Sequence, residues 1–165
     1  MLLVQIPLFV YGTLRSYGPN AHLITPYAIK RQRAEVRGAL HRVDYTDEEG
    51  GPASTVSYWA EGSSRIEGDL VHLAPHAELN LLAQLDRKEL FFDHASSAGC
   101  VFVRQIVLVT PDGQPARAAW TYVVVPADSQ TRDCLPPDDD GVVRYRPTQR
   151  GFSRLSFHRE LECQA

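Results

Sequence analysis

Cysteine is scarce in this 165-residue chain, which carries only Cys100, Cys134 and Cys163. The three are odd in number, widely spaced and contain no C-x-x-C pair, which excludes a disulfide scaffold and gives a zinc site no support. Free thiols in a reducing, cytoplasmic setting are the reading that fits. Histidine is equally unhelpful to a metal. Of the six histidines, His72 and His76 are four apart, but Pro75 stands between them and keeps them off one helix, and no H-E-x-x-H occurs. The sequence therefore predicts no metal and no cofactor. G-x-S-x-G is missing too, so a nucleophile elbow is excluded, and Cys100 has nothing beyond its place near a strand start to support it as a nucleophile. Charge of one sign is not in excess. A formal net charge of −3 gives no electrostatic case for nucleic acid or an anionic membrane as partner. Long apolar runs are absent as well. The opening MLLVQIPLFVYG is too short to span a bilayer, is interrupted by Gln5 and Pro7, and lacks the basic region and cleavage site of a signal peptide. A buried strand is the better account of it. No internal repeat or low-complexity tract is visible.

What is present is ordinary globular material, 44% hydrophobic and 22% charged, in a length that suits one domain with one core. Strand-formers run from Ile6 to Tyr11 and stop at Gly12. A short helix through Leu23 and Ile29 follows, then a twisted strand from Ala34 to Val43 around Gly38. The stretch DYTDEEGGP (Asp44–Pro52) is loop chemistry. Further strands are expected over Ala53–Trp59, Ile66–Leu73, Cys100–Thr110 and Ala116–Val125. The link TPDGQP, with Asp-Gly at its centre, makes the last two a hairpin. Leu81, Leu82 and Leu85 share one helix face after Pro75, the one clear helix of the chain. The pattern amounts to an α+β fold: a small, mixed, barrel-like sheet of about six strands with a helix against it. Residues 1–126 form the domain. Residues 127–165, rich in Pro, Asp and Arg, form an extension packed on it, and Asp138, Asp139 and Asp140 read as a solvated loop.

Four segments, in order, carry a resemblance. LFVYGTLR (Leu8–Arg15) ends a strand in Tyr-Gly-Thr-Leu. VRGALHRV (Val36–Val43) and RIEGDLVHL (Arg65–Leu73) set a glycine before apolar residues. LDRKE (Leu85–Glu89) gives Leu-Asp-x-x-Glu at a helix end. Together with Phe102-Val103-Arg104 and the hairpin DGQPARAAWTYV, they resemble the γ-glutamylcyclotransferase and AIG2-like family over residues 6 to 126. Two departures are visible: Leu90 follows the glutamate where the family often has Gly, and Phe102 stands where it commonly has Tyr. The resemblance implies a cofactor-independent acyl transfer on a small γ-glutamyl substrate. The α-amine attacks its own γ-carbonyl, giving 5-oxoproline and releasing an amine or amino acid.

On that reading Glu89 is the catalytic general base and acid, a role suited to one carboxylate of raised pKa. The amides of Tyr11, Gly12, Thr13 and Leu14 cradle the γ-glutamyl moiety, with the hydroxyl of Tyr122 within reach of the pocket. Each has a plainer alternative. Glu89 can be a solvated helix-end carboxylate, Gly12 a bare turn, and Tyr122 a core residue with a hydrogen-bonded tip. Arg15 either meets a substrate carboxylate or sits at the surface. Arg104, inside the apolar run VFVRQIVLV, needs a partner, and a structural ion pair is favoured over substrate contact. Asp86 reads as structural. Glu67 and Asp69 flank Gly68 and are expected to face solvent, with Glu67 the second choice for a catalytic carboxylate. A rival class also stays open: a non-catalytic binding or regulatory module of the same fold.

Overall fold

The computed structural model describes residues 5–46, 52–88, 101–125 and 134–146. Six strands and one α-helix organise them: β1 (Leu8–Val10), β2 (Ala28–Thr46), β3 (Pro52–Leu73), α1 (Glu78–Lys88), β4 (Val101–Pro111), β5 (Arg117–Val125) and β6 (Val142–Val143). The sheet runs β1-β5-β4-β2-β3-β6, and an added pairing of β1 with β3 closes the first five strands into a barrel. β1 lies parallel to β5 and antiparallel to β3, so the sheet is mixed. Closure leaves the short β1 no free edge.

Period-2 alternation explains why this wall has two apolar faces. In β1, Phe9 joins an inner cluster with Val36, Leu70, Val109 and Val123, while Leu8 and Val10 join an outer one. The outer cluster is where α1 docks. Leu81, Leu82 and Leu85 are buried, as their spacing requires, and pack with Leu8, Val10, Val71 and Leu73. Glu78 in the first turn suits the positive end of the helix dipole.

Several boundaries differ from the sequence expectation. Ala53–Trp59 and Ile66–Leu73 are one strand, β3, because Ala60–Ser63 loop out as a bulge where the partner of β2 jumps from Ser64 to Trp59. That bulge bends the hairpin at Gly38 and Gly62. A Cβ on Gly62 would lie 2.6 Å from the Gly38 backbone, and one on Gly38 would lie 2.3 Å from the Tyr58 ring. Only glycines let the chains approach so closely. The expected helix through Leu23 and Ile29 is two 3₁₀ turns, Ala21–Leu23 and Thr25–Tyr27, and Ile29 already belongs to β2. Pro26, which has no N–H to donate, suits a short turn better than a helix interior. Asp44–Thr46 and Pro52 lie in strands, which shortens the expected loop. The β4–β5 hairpin turns through Gly113 at φ +67°.

The segment 134–146 lies against this barrel. Leu135 N–H donates to Leu40 O at 2.8 Å, β6 pairs in parallel with β3 at Arg65 and Ile66, and Tyr145 is fully buried.

Candidate active site

The turn that follows β1 is tied down on every side. Tyr11 points inward, where its hydroxyl donates to the Tyr122 carbonyl at 2.8 Å and accepts the Tyr58 amide at 3.2 Å. The Tyr11 and Tyr58 rings meet at 5.7 Å. Gly12 comes so near the folded-over hairpin that a Cβ there would sit 2.9 Å from Val56 Cγ2. The Gly12 carbonyl accepts Arg15 N–H at 3.0 Å, and the Thr13 carbonyl accepts Asn20 N–H at 2.9 Å. Among the described residues, the N–H groups of Gly12, Thr13 and Leu14 donate to no backbone carbonyl, although all three residues are buried. In a buried turn most amides are paired, so three in a row with no backbone partner stand out. Successive amides of this kind are what an anion cradle or oxyanion hole is built from.

Arg15 and the acids of β3 back the turn. Arg15 is not at the surface: its side chain is 4% exposed, with Glu67 Oε1 at 3.0 Å and Asp69 Oδ1 at 3.1 Å from Nη2. Asp69 Oδ2 accepts the Ser16 amide at 2.9 Å, and the ring of Tyr17 covers the guanidinium at 4.6 Å. The expectation that Glu67 and Asp69 face solvent is therefore corrected. They do point to the outer face of β3, but the returning turn and the segment 138–146 cover that face. Glu67 also binds Arg33 and Arg144, each at 2.9 Å. Burial pushes its carboxyl up, but hydrogen bonds from Arg144 and Arg15 outweigh burial and hold it below the usual carboxylate range. An acid held ionised by three guanidinium groups is an anchor and a poor proton acceptor. That role removes Glu67 as a second catalytic choice.

On the helix side, Asp86 near the end of α1 is bound by Arg104 of β4 and Tyr122 of β5. Arg104 Nε meets Oδ1 at 3.0 Å and Nη2 meets Oδ2 at 3.0 Å, and the Tyr122 hydroxyl donates to Oδ1 at 2.7 Å. The guanidinium also stacks over Trp120 at 4.8 Å. Arg104 thus has the structural partner its strand demanded. Tyr122 serves both ends, since its carbonyl holds Tyr11 and its hydroxyl holds Asp86. Tyr11, Gly12, Thr13, Leu14 and Tyr122 are brought together with the helix end that precedes Glu89. Glu89 itself, together with Leu90, lies outside the described residues.

A groove of about 630 Å³ opens elsewhere, between β2 and β4. It arises because these strands pair only at Ala34–Pro111 and Glu35–Thr110 and diverge beyond. Val36, Arg37, Val107 and Leu108 line it, and its link to the turn is the ring of Tyr58. Among the described residues no cluster of three His, Cys, Asp or Glu suits a metal, and no helix is long and apolar enough to cross a membrane.

Sequence reasoning missed Asp69, Glu67 and Arg144 as supports of the turn. The usable signal was two acids spaced i, i+2 on one strand face with an arginine straight after Tyr-Gly-Thr-Leu. Alternation alone cannot tell a solvated face from a covered one.

The sequence model of the family described as gamma-glutamyl cyclotransferase, AIG2-like, matches residues 8–141. Among solved structures, YkqA of Bacillus subtilis is 25% identical over 77% of this chain, with TM-score 0.47, and the match spans 37% of the YkqA chain. An AIG2-like protein of Mus musculus is 18% identical, with 88% of this chain and 97% of that one covered at TM-score 0.49. An Arabidopsis thaliana protein is 16% identical, with 89% and 80% covered at TM-score 0.47. No curated protein sequence matches the chain.

Proposed function

The chain belongs to the gamma-glutamyl cyclotransferase, AIG2-like family, and from that premise we propose that it cyclises a γ-glutamyl group to 5-oxoproline and releases an amine or amino acid. The observation that carries this reading is the turn after β1, whose amides at 12–14 donate to no backbone carbonyl among the described residues and which Tyr122 links to the helix end preceding Glu89.

The substrate amine and γ-carbonyl belong to one molecule, so binding has only to fold it. Holding them in attack geometry is worth about 7–11 kcal/mol of the barrier. Glu89 takes a proton from the α-ammonium, and the freed amine nitrogen bonds to the γ-carbon. The carbonyl oxygen becomes an oxyanion that the amides of Gly12, Thr13 and Leu14 receive, an interaction made chiefly in the transition state. Glu89 gives its proton to the departing nitrogen as that bond breaks, then takes the second proton from the ring nitrogen and passes it to the released amine, which leaves as an ammonium. The reaction is thus proton-balanced without a cofactor. Asp86 stays outside these steps, because its two oxygens are already engaged by Arg104 and Tyr122.

The test is 5-oxoproline release from a panel of γ-glutamyl amino acids and γ-glutamylamines, with the wild type run beside Glu89→Gln. Turnover in the wild type and loss of about a hundredfold or more in the variant is the expected result. Binding of the panel with no turnover by the wild type would instead identify a non-catalytic module, the reading that Leu90 after the glutamate favours.

A further inference from the structure

We propose that residues 138–146 are a working part of the site: they hold Arg15 in place, and through it the geometry of the 12–14 amides. The proposal rests on the cyclisation reading for its catalytic consequence, though not for the structural coupling itself.

Two separate contacts run from this segment to the turn. Arg144 Nε binds Glu67 Oε2 at 2.9 Å, and the other oxygen of the same carboxylate binds Arg15 Nη2 at 3.0 Å. The Tyr17 hydroxyl donates to the Tyr145 carbonyl at 3.1 Å, which seats the Tyr17 ring over the Arg15 guanidinium. Arg15 cannot move without disturbing the cradle, since its own amide closes the turn on Gly12 and Asp69 binds both its side chain and the next amide.

The segment is built to present Arg144. Asp138 and Gly141 form a tight turn, with Gly141 N–H donating to Asp138 O at 2.8 Å and Gly141 at φ +77°. Val142 and Val143 then pair with β3, and Val143 and Tyr145 drop into the inner core. Alternation between those two leaves Arg144 on the outer face, over Glu67. Asp138 and Asp140 hold the far side of its guanidinium at 2.8 and 2.6 Å. Those acids hold Arg144 still; its remaining bond is the one to Glu67. Arg144 is a positioning residue, as are Glu67 and Asp69, because each acts on the amides through Arg15.

Arg144→Ala tests this beside Arg65→Ala, which strips a neighbouring strand acid, Glu35, of an arginine without touching Arg15. Two readouts are needed: deuterium exchange of the segment 11–17, and steady-state 5-oxoproline release. Arg144→Ala should speed exchange in that segment about tenfold and lower kcat by about ten- to a hundredfold, with KM changed far less, because misplaced amides chiefly affect the transition state. Arg144→Lys should recover part of both losses, and Arg65→Ala should change neither. Unaltered exchange over 11–17 in Arg144→Ala overturns the proposal, as do equal effects of the two alanine variants. If Arg144→Ala does not fold, Glu67→Gln, near-isosteric, takes its place under the same criteria. If the wild type turns over nothing, the cyclisation reading fails while the exchange arm still decides the coupling.

Discussion

Arg104 and Arg15 are both held by carboxylates beside the same turn, yet they are set at different depths and in different company. Arg104 and Asp86 each keep 26% of the side chain exposed and form one bidentate pair with a tyrosine added. Arg15 is 4% exposed, Asp69 9% and Glu67 12%, and further arginines reach those acids from β2 and from the segment after β6. A half-exposed pair can lose a member and let water in. A buried set cannot, because the carboxylates left behind are desolvated and one cation short. The Asp86 set therefore acts as a local latch between α1 and the sheet, and the Arg15 set as a foundation for the turn.

The largest expected effect breaks that foundation. Arg15→Met should destabilise the fold by about 3–5 kcal/mol, because Glu67 and Asp69 stay buried with one cation fewer. Arg104→Met should cost about 1.5–3 kcal/mol, the range for a hydrogen bond to a charged group. Urea midpoints with unchanged slopes measure both. Equal losses would mean that depth is not what separates the two sets. Tyr122→Phe sharpens the comparison from the other side, removing the 2.7 Å bond to Asp86 while leaving the ring. It should cost about 1.5 kcal/mol and leave the Tyr11 bond intact, since that one uses the Tyr122 carbonyl.

One arm of the latch was readable in the sequence and the foundation was not, and the reason is physical. Arg104 stands in an apolar strand, and a cation there must find an acid, so a structural ion pair followed from one segment alone. Asp86 read as structural within the Leu85–Glu89 segment, but nothing in the sequence joined it to Arg104. Glu67 and Asp69 alternate with Ile66 and Leu70, which gave their face correctly, but what covers that face is decided by long-range returns of the chain. The turn at Arg15 and the two-residue strand at Val142–Val143 are too short to carry a periodic signal of their own. The bulge at Ala60–Ser63 hid the continuity of β3 in the same way, because its Glu, Gly and Ser look like a loop.

Acid should separate the sets as well. Asp138 and Asp140 sit below the usual carboxylate range, chiefly through hydrogen bonds from Arg144, while burial pushes Glu67 up and the hydrogen bonds from Arg144 and Arg15 more than offset it. Carboxylates depressed in the fold stabilise it above their unfolded pKa values, near 4, and lose that contribution as pH falls through their folded values. The stability gap between wild type and Arg144→Ala should therefore be constant above about pH 5 and close as the pH drops below about 4. A gap unchanged down to pH 3 would mean that Arg144 acts through packing of its stem and not through these acids.

The smallest effect is expected at Arg65→Ala. Register sets Glu35 directly opposite Glu67, a like-charge pair that ought to be unfavourable. Arg65 binds Glu35 at 2.8 and 2.9 Å, but it is 44% exposed. Arg33 also bridges the two acids, with Nη2 3.4 Å from Glu35 and Nε 2.9 Å from Glu67. Removing Arg65 thus leaves the opposed carboxylates still joined by a cation, and Arg65 itself is an exposed partner, so the urea midpoint should stay at the wild-type value. A loss as large as that of Arg104→Met would mean that the acids and arginines of β2 and β3 act as one unit, in which an exposed member matters as much as a buried one.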